Sequence, residues 1–253
     1  EKISYATLSP DNDKVAFVKD NNLYLVELAT NQTTQITKDG EWNKIINGAA
    51  DWVYEEEFSM SQAFSWSPDG KKIAFIRFDE TDVPEFNMQL WGPLYPADYR
   101  FKYPKAGEQN AEVSIHVYDL ASKNIQKVDA GSEKDIYLPR IYWTKDANQL
   151  AFIRLNRLQN KLDLFHANAT TGSSKLILSE ESETYVDLDY NDNLQYLSDG
   201  KSFIRTSEKD GYKHIYHHAM DGSLIRQITS GDWEVTELVG VDEKNKKIYF
   251  VSA

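Results

Sequence analysis

The sequence predicts an all-β fold: a β-propeller of four-stranded antiparallel blades. Three observations carry the prediction. A phrase of strand, Ser-Pro-Asp-Gly-like turn and strand recurs along the chain, as at Ser9-Pro10-Asp11-Asn12, Ser67-Pro68-Asp69-Gly70 and Ser198-Asp199-Gly200. Aromatic residues reach 13%, with 15 tyrosines, and such side chains favour half-buried sheet surfaces. No segment shows the long apolar stripe of an amphipathic helix.

The first unit is whole within residues 3–37. Tyr5–Leu8 leads into the first turn, Lys14–Val18 alternates, Asn21-Asn22 turns the chain, Leu23–Leu28 follows and Thr33–Thr37 closes. Proline presets the first turn position, Asp bonds back to its own backbone, and Gly accepts positive φ. The second unit starts at Ala63–Trp66 and runs through Lys72–Phe78. It resumes after an insertion at Val113–Leu120 and Ile125–Val128. The third has Arg140–Trp143, a degenerate Thr144-Lys145-Asp146-Ala147 turn, Gln149–Leu155, Leu162–Ala167 and Lys175–Leu178. The fourth has Leu194–Leu197, Ser202–Thr206, His214–Ala219 and Leu224–Thr229, with Asp221-Gly222 as a hairpin turn. A fifth begins at Thr236–Val241 and reaches Lys247–Val251. Radial repetition of such units is the propeller; about four and a half blades are present, where four to eight is usual. Ile248–Val251 reads as a blade strand without its partners, so further blades are expected to follow. A two-sheet sandwich would explain the strands but not the recurring phrase.

Composition narrows the function. The net charge of −12 argues against nucleic-acid binding, which needs a basic stripe. It fits plain solubility, or a surface that attracts cationic ligands. With no cysteine, disulfides and cysteine-ligated metals are ruled out. No apolar run has the length of a membrane span. The chain opens on Glu1-Lys2 rather than Met, as a processed or trimmed chain does.

Two insertions interrupt the period, residues 39–62 and 79–111. Blades need only short turns, so long insertions are where function is sought. In the first, Asp51 can cap a short helix whose opening turns hold Glu55, Glu56 and Glu57. Carboxylates near a helix N-terminus are favourable in themselves, and that purely structural reading stands. The functional reading has two adjacent carboxylates turned to one cavity, holding an ammonium with its three donors. One such ion pair at 4 Å gains about 4 kcal/mol at an effective dielectric near 20, before desolvation.

The run Asp51-Trp52-Val53-Tyr54-Glu55-Glu56-Glu57 resembles the signature of the dipeptidyl-peptidase IV family. Asn47-Gly48 before it and Trp66-Ser67-Pro68-Asp69-Gly70 after it match as well. So do Phe78–Pro84, Tyr103–Gly107, Gly211–Ile215 and Thr229–Val235, so the resemblance covers most of the chain. It implies an eight-bladed propeller, of which residues 1–253 are one part, joined to a C-terminal α/β-hydrolase domain absent from these residues. It implies that Glu56 and Glu57 bind the free N-terminal amine of peptide substrates, so that dipeptides with penultimate Pro or Ala are released. Glu55 is then structural or peripheral. The resemblance also implies a further substrate-binding arginine upstream of residue 1 and a serine nucleophile in the hydrolase domain. No Gly-x-Ser-x-Gly elbow occurs in these residues, so they are expected to hydrolyse nothing alone. No catalytic residue, metal ligand or cofactor is assigned within them.

The second insertion carries Trp91, Tyr95, Tyr99, Phe101 and Tyr103. Exposed aromatics on a projecting arm suggest a partner surface, and the resemblance implies a homodimer through it. A loop folded onto its own blade is the alternative. His214-Ile215-Tyr216-His217-His218 invites a metal reading. On a strand, however, only His214 and His218 share a face with suitable periodicity, too far apart for one ion, and an exposed strand face is expected. Asn31-Gln32-Thr33 and Asn168-Ala169-Thr170 match the glycosylation pattern, which matters only in a eukaryotic secretory setting. The lack of cysteine, taken with the resemblance, points to a bacterial periplasmic or cell-surface location. The competing function from another class is a non-catalytic propeller that only binds proteins, since fold does not fix function.

Overall fold

The computed structural model describes residues 2–92 and 94–253; Glu1 of the opening dipeptide and Pro93 of the second insertion lie outside them. The first blade is β1 (Ser4–Leu8), β2 (Lys14–Lys19), β3 (Asn22–Glu27) and β4 (Gln32–Gln35), paired antiparallel in that order. Its middle hairpin turns on Asp20 and Asn21, both at positive φ (48° and 58°), and Asn22 already pairs with Lys19. The turn therefore lies one residue before the Asn21-Asn22 position expected from the sequence. Two consecutive left-handed residues are what a tight hairpin of this twist requires.

Next come β5 (Ile45–Asn47), α1 (Trp52–Phe58), β6 (Phe64–Trp66) and β7 (Lys72–Asp79). Both β5 and β6 pair antiparallel with β7: β5 with Arg77–Asp79, β6 with Ile73–Phe75. The first strand of the second blade is thus split, and α1 is an excursion from the gap. An Ala49↔Gln62 bridge closes its base, with Ala50 N–H donating to the Ser61 carbonyl at 2.9 Å. Part of the 39–62 insertion is therefore sheet. Gly48, at φ +77°, turns the chain there, against Leu23, Val18 and Phe64 side chains 3.3–3.4 Å from where a Cβ would stand.

The second insertion is a hairpin, β8 (Glu85–Leu90) and β9 (Ala97–Lys102), exposed along nearly its whole length. The blade resumes with β10 (Glu112–Asp119) and β11 (Ile125–Lys127). The third blade is β12 (Ile136–Trp143), β13 (Gln149–Asn156), β14 (Lys161–Asn168) and β15 (Ser174–Glu181). A short α2 (Leu188–Asn191) leads to the fourth: β16 (Leu194–Tyr196), β17 (Ser202–Ser207), β18 (His214–Ala219) and β19 (Leu224–Gln227). The pair β20 (Val235–Asp242) and β21 (Lys247–Ser252) begins a fifth.

The Ser-Pro-Asp-Gly turns close as their chemistry dictates. Ser67 Oγ donates to Asp69 Oδ1 at 2.7 Å, Gly70 N–H donates to the Ser67 carbonyl at 2.9 Å, and Gly70 sits at φ +68°. Strands reverse at every turn. The connections after the second and fourth strands of a blade therefore open at one end of the molecule, and the Ser-Pro-Asp-Gly turns at the other. The β8–β9 hairpin, the β13–β14 turn and α2 emerge at that first end; α1 leaves from within the split strand and meets that end through Trp52 against Tyr103 and Glu57 against Gln159.

Each blade packs on the next. One core joins the first and second blades through Leu23, Leu25, Phe64 and Phe75; a larger one joins the second and third and takes in Phe203 of the fourth. A blade between two neighbours is covered on both faces, so its middle strands bury consecutive residues, as Leu150, Ala151 and Phe152 do. This corrects the expected exposed face at His214–His218. His214 and His218 are 1% and 6% exposed. His214 is bonded to Thr229 Oγ1 and the Gly231 carbonyl, both at 3.1 Å, and His218 meets the Gly222 carbonyl at 2.9 Å. Both are satisfied blade histidines.

Candidate functional site

The sequence of α1 divides it into two sides. Asp51 Oδ1 accepts the Tyr54 backbone N–H at 3.0 Å and caps the helix; Ser59, left-handed at φ 49°, ends it. Val53, Tyr54 and Phe58 are buried, and Glu55, Glu56 and Glu57 are exposed. Tyr54 is the anchor. Its ring meets Phe58, Phe78 and Tyr137 edge-on, at 5.2, 4.8 and 6.0 Å between centroids. Its hydroxyl accepts the Leu138 backbone N–H at 2.8 Å, which ties the helix to the first strand of the third blade. A seven-residue helix would not hold by itself; packing holds it, and the glutamates are what remains outside.

Two buried carboxyls, the N-cap Asp51 and Glu80 within reach of its charge, hold their protons to higher pH than usual. Burial raises the Asp51 carboxyl to about 6, against the pull of the Tyr54 N–H, and Glu55 adds to the rise. Burial likewise lifts Glu80 to about 7; the Asp51 charge reinforces this, and Lys102 partly offsets it. Glu55 is raised by partial burial and by the Glu56 charge. Glu57 Oε2 accepts a hydrogen bond from Gln159 Nε2 at 3.1 Å. Trp52 packs against Tyr103 with ring centroids 4.2 Å apart, which docks the base of the hairpin on the helix. A cavity of about 730 Å³ opens there, lined by Trp52, Glu57, Phe86, Phe101, Tyr103 and Arg157 among others.

Glu56 and Glu57 are thus consecutive exposed residues of a capped, anchored helix. Adjacent anionic groups there suit a ligand that brings a cation and several N–H donors. The aromatics of the second insertion divide: Trp91, Tyr95 and Tyr99 are exposed, whereas Phe101 and Tyr103 are half-buried where the hairpin meets α1. Among the described residues no group of three or more His, Cys, Asp or Glu is placed to hold a metal ion. Nor, among them, is any helix long and apolar enough to cross a membrane. Reading the sequence missed Gln159, the Tyr54–Leu138 tie and Glu80. The Arg157-Leu158-Gln159-Asn160 turn carries no signal that it comes back beside a helix 102 residues earlier.

The family profile described as "Dipeptidyl peptidase IV (DPP IV) N-terminal region" matches residues 1–253. A dipeptidyl peptidase 4 from Trichophyton equinum is 34% identical over 263 residues, covering 99% of this chain and 33% of that protein. The crystal structure of Porphyromonas gingivalis dipeptidyl peptidase 4 superposes with a TM-score of 0.95 at 43% identity, over 100% of this chain and 36% of that one. A candidate dipeptidyl aminopeptidase IV from Bacteroides ovatus superposes with a TM-score of 0.84 at 27% identity, over 100% and 36%. The chain spans about a third of the length of the relatives it matches.

Proposed function

Since the chain belongs to the family of the dipeptidyl peptidase IV N-terminal region, we propose that it is the substrate-gripping propeller part of a longer serine exopeptidase. That enzyme releases N-terminal dipeptides with penultimate Pro or Ala. Glu56 and Glu57 hold the ammonium of the peptide's free N-terminus, and a C-terminal α/β-hydrolase domain supplies the nucleophile. The observation that carries the reading is α1: an anchored helix presenting consecutive exposed glutamates at the end of the molecule where both insertions emerge.

The mechanism is one of measurement. A carboxylate pair on a rigid helix fixes one end of the peptide, and binding energy there orients the scissile bond at a set distance. A blocked amine loses both its charge and two of its donors, so an N-acetylated peptide is refused. In the full-length peptidase, Glu56→Ala and Glu57→Ala should each lower kcat/KM for a Gly-Pro chromogenic substrate by roughly ten- to a hundred-fold, the usual cost of a lost charged hydrogen bond. Unchanged kinetics in both variants would remove the amine anchor. The exposed aromatics of the 79–111 arm support a homodimer formed through it, and the family resemblance together with the absence of cysteine supports a bacterial periplasmic or cell-surface location.

A further inference from the structure

We propose that Gln159 is a positioning residue that aims Glu57 at the substrate ammonium. The proposal rests on the amine-anchor reading of Glu57 above.

Gln159 sits in the tight turn between β13 and β14, and its backbone is fixed from three directions. Its N–H donates to the Asn156 carbonyl, and its carbonyl accepts the Val186 N–H, both at 2.9 Å. Asn156 Oδ1 accepts the N–H groups of Asn160 and Lys161, each at 3.1 Å. Its φ of +54° lies in the left-handed region, uncommon for a residue other than glycine. The turn therefore fixes where the side chain leaves the backbone, and the bond to Glu57 fixes where its amide ends.

A carboxylate only accepts hydrogen bonds, so Gln159 must present Nε2 to Glu57. That orientation leaves Gln159 Oε1 buried without a partner. An unpaired buried carbonyl destabilises a fold, and in native proteins such groups are few and call for a reason. The reason fits the site. A neutral amide donor fixes one oxygen of Glu57 and leaves its charge whole for the ligand, with lone pairs to spare. A lysine or arginine in that place would neutralise Glu57 and compete with the ammonium. The nearby cation, Arg157, is held elsewhere: it bonds Asp135 Oδ1 at 3.2 Å and the Glu108 carbonyl at 2.9 Å.

The test is a double-mutant cycle of Gln159→Met and Glu57→Ala in the full-length peptidase, with Gly-Pro-p-nitroanilide as substrate. Methionine keeps the volume and removes both the donor and the orphaned carbonyl. We expect kcat/KM to fall about three- to tenfold, the scale of one hydrogen bond, mainly through KM. The melting temperature should stay level or rise. In the Glu57→Ala background the same change should add no further loss. Kinetics of Gln159→Met within twofold of the parent enzyme would overturn the proposal, and so would an equal loss in both backgrounds. An inert Glu57→Ala would instead overturn the amine-anchor reading beneath it. Should the methionine variant not fold, Gln159→Ala takes its place in the same cycle.

Discussion

Asp51 and Glu80 are carboxyls taken out of water; Glu80 also feels the Asp51 charge, and Asp51 that of Glu55. Their folded pKa values, about 6 and about 7, stand above those of an unfolded chain. The folded protein therefore holds more protons than the unfolded one through that window. Their contribution to stability is complete below about pH 4 and is lost as pH rises through about 6 to 7. Asp51→Asn with Glu80→Gln keeps a capping side chain and removes both titrations. The double variant should melt at a temperature that falls less than the parent's between about pH 4.5 and about pH 7.5. Parallel melting curves across that range would refute the assignment. At this scale the sequence was legible where chemistry is local. Asp51 announces a cap because its oxygen needs only the N–H three residues on. Gln159 announces nothing, because its meaning depends on Glu57, which no local rule connects to it. The burial of His214 and His218 was equally hidden: a polar strand reads as solvent-facing until a neighbouring blade is known to cover it.

Among the elements, the blade strands were readable because each is bracketed by turns whose residues have definite backbone roles. Strand β5 was not. Three residues, Ile45–Asn47, are too few for a period, and they form a strand only because Arg77–Asp79 extends past the end of β6. The β8–β9 hairpin was legible as an arm but not as a sheet. Its strands expose both faces, so the inward–outward alternation that marks a half-buried strand has no inside to refer to. A two-stranded ribbon with Phe86, Met88 and Leu90 open to solvent is a marginal structure alone, and the proposed homodimer would supply a surface that steadies it. Replacing Trp91 and Tyr95 by Ser in the full-length protein should shift it from dimer to monomer in light scattering. A dimer undisturbed by that change would place the interface elsewhere.

Over the whole molecule, consecutive blades share cores, so the carboxylates of α1 are positioned by residues of two blades: Phe78 of the second and Tyr137 and Leu138 of the third. On the proposed function, binding belongs to these residues and bond cleavage to a further domain of a longer protein, and the two can be tested apart. Incubated alone with Gly-Pro-p-nitroanilide, residues 1–253 should release no chromophore; turnover by them would place a nucleophile among these blades. The strict reversal of strands has a practical corollary. The hairpin leaves by one end, the helix with its glutamates packs against that end, and the Ser-Pro-Asp-Gly turns at the opposite end are short and self-bonded. Lys71 and Lys201 stand exposed beside two of those turns. They are attachment points for a fluorophore or a solid support that would leave the approach of a peptide unobstructed.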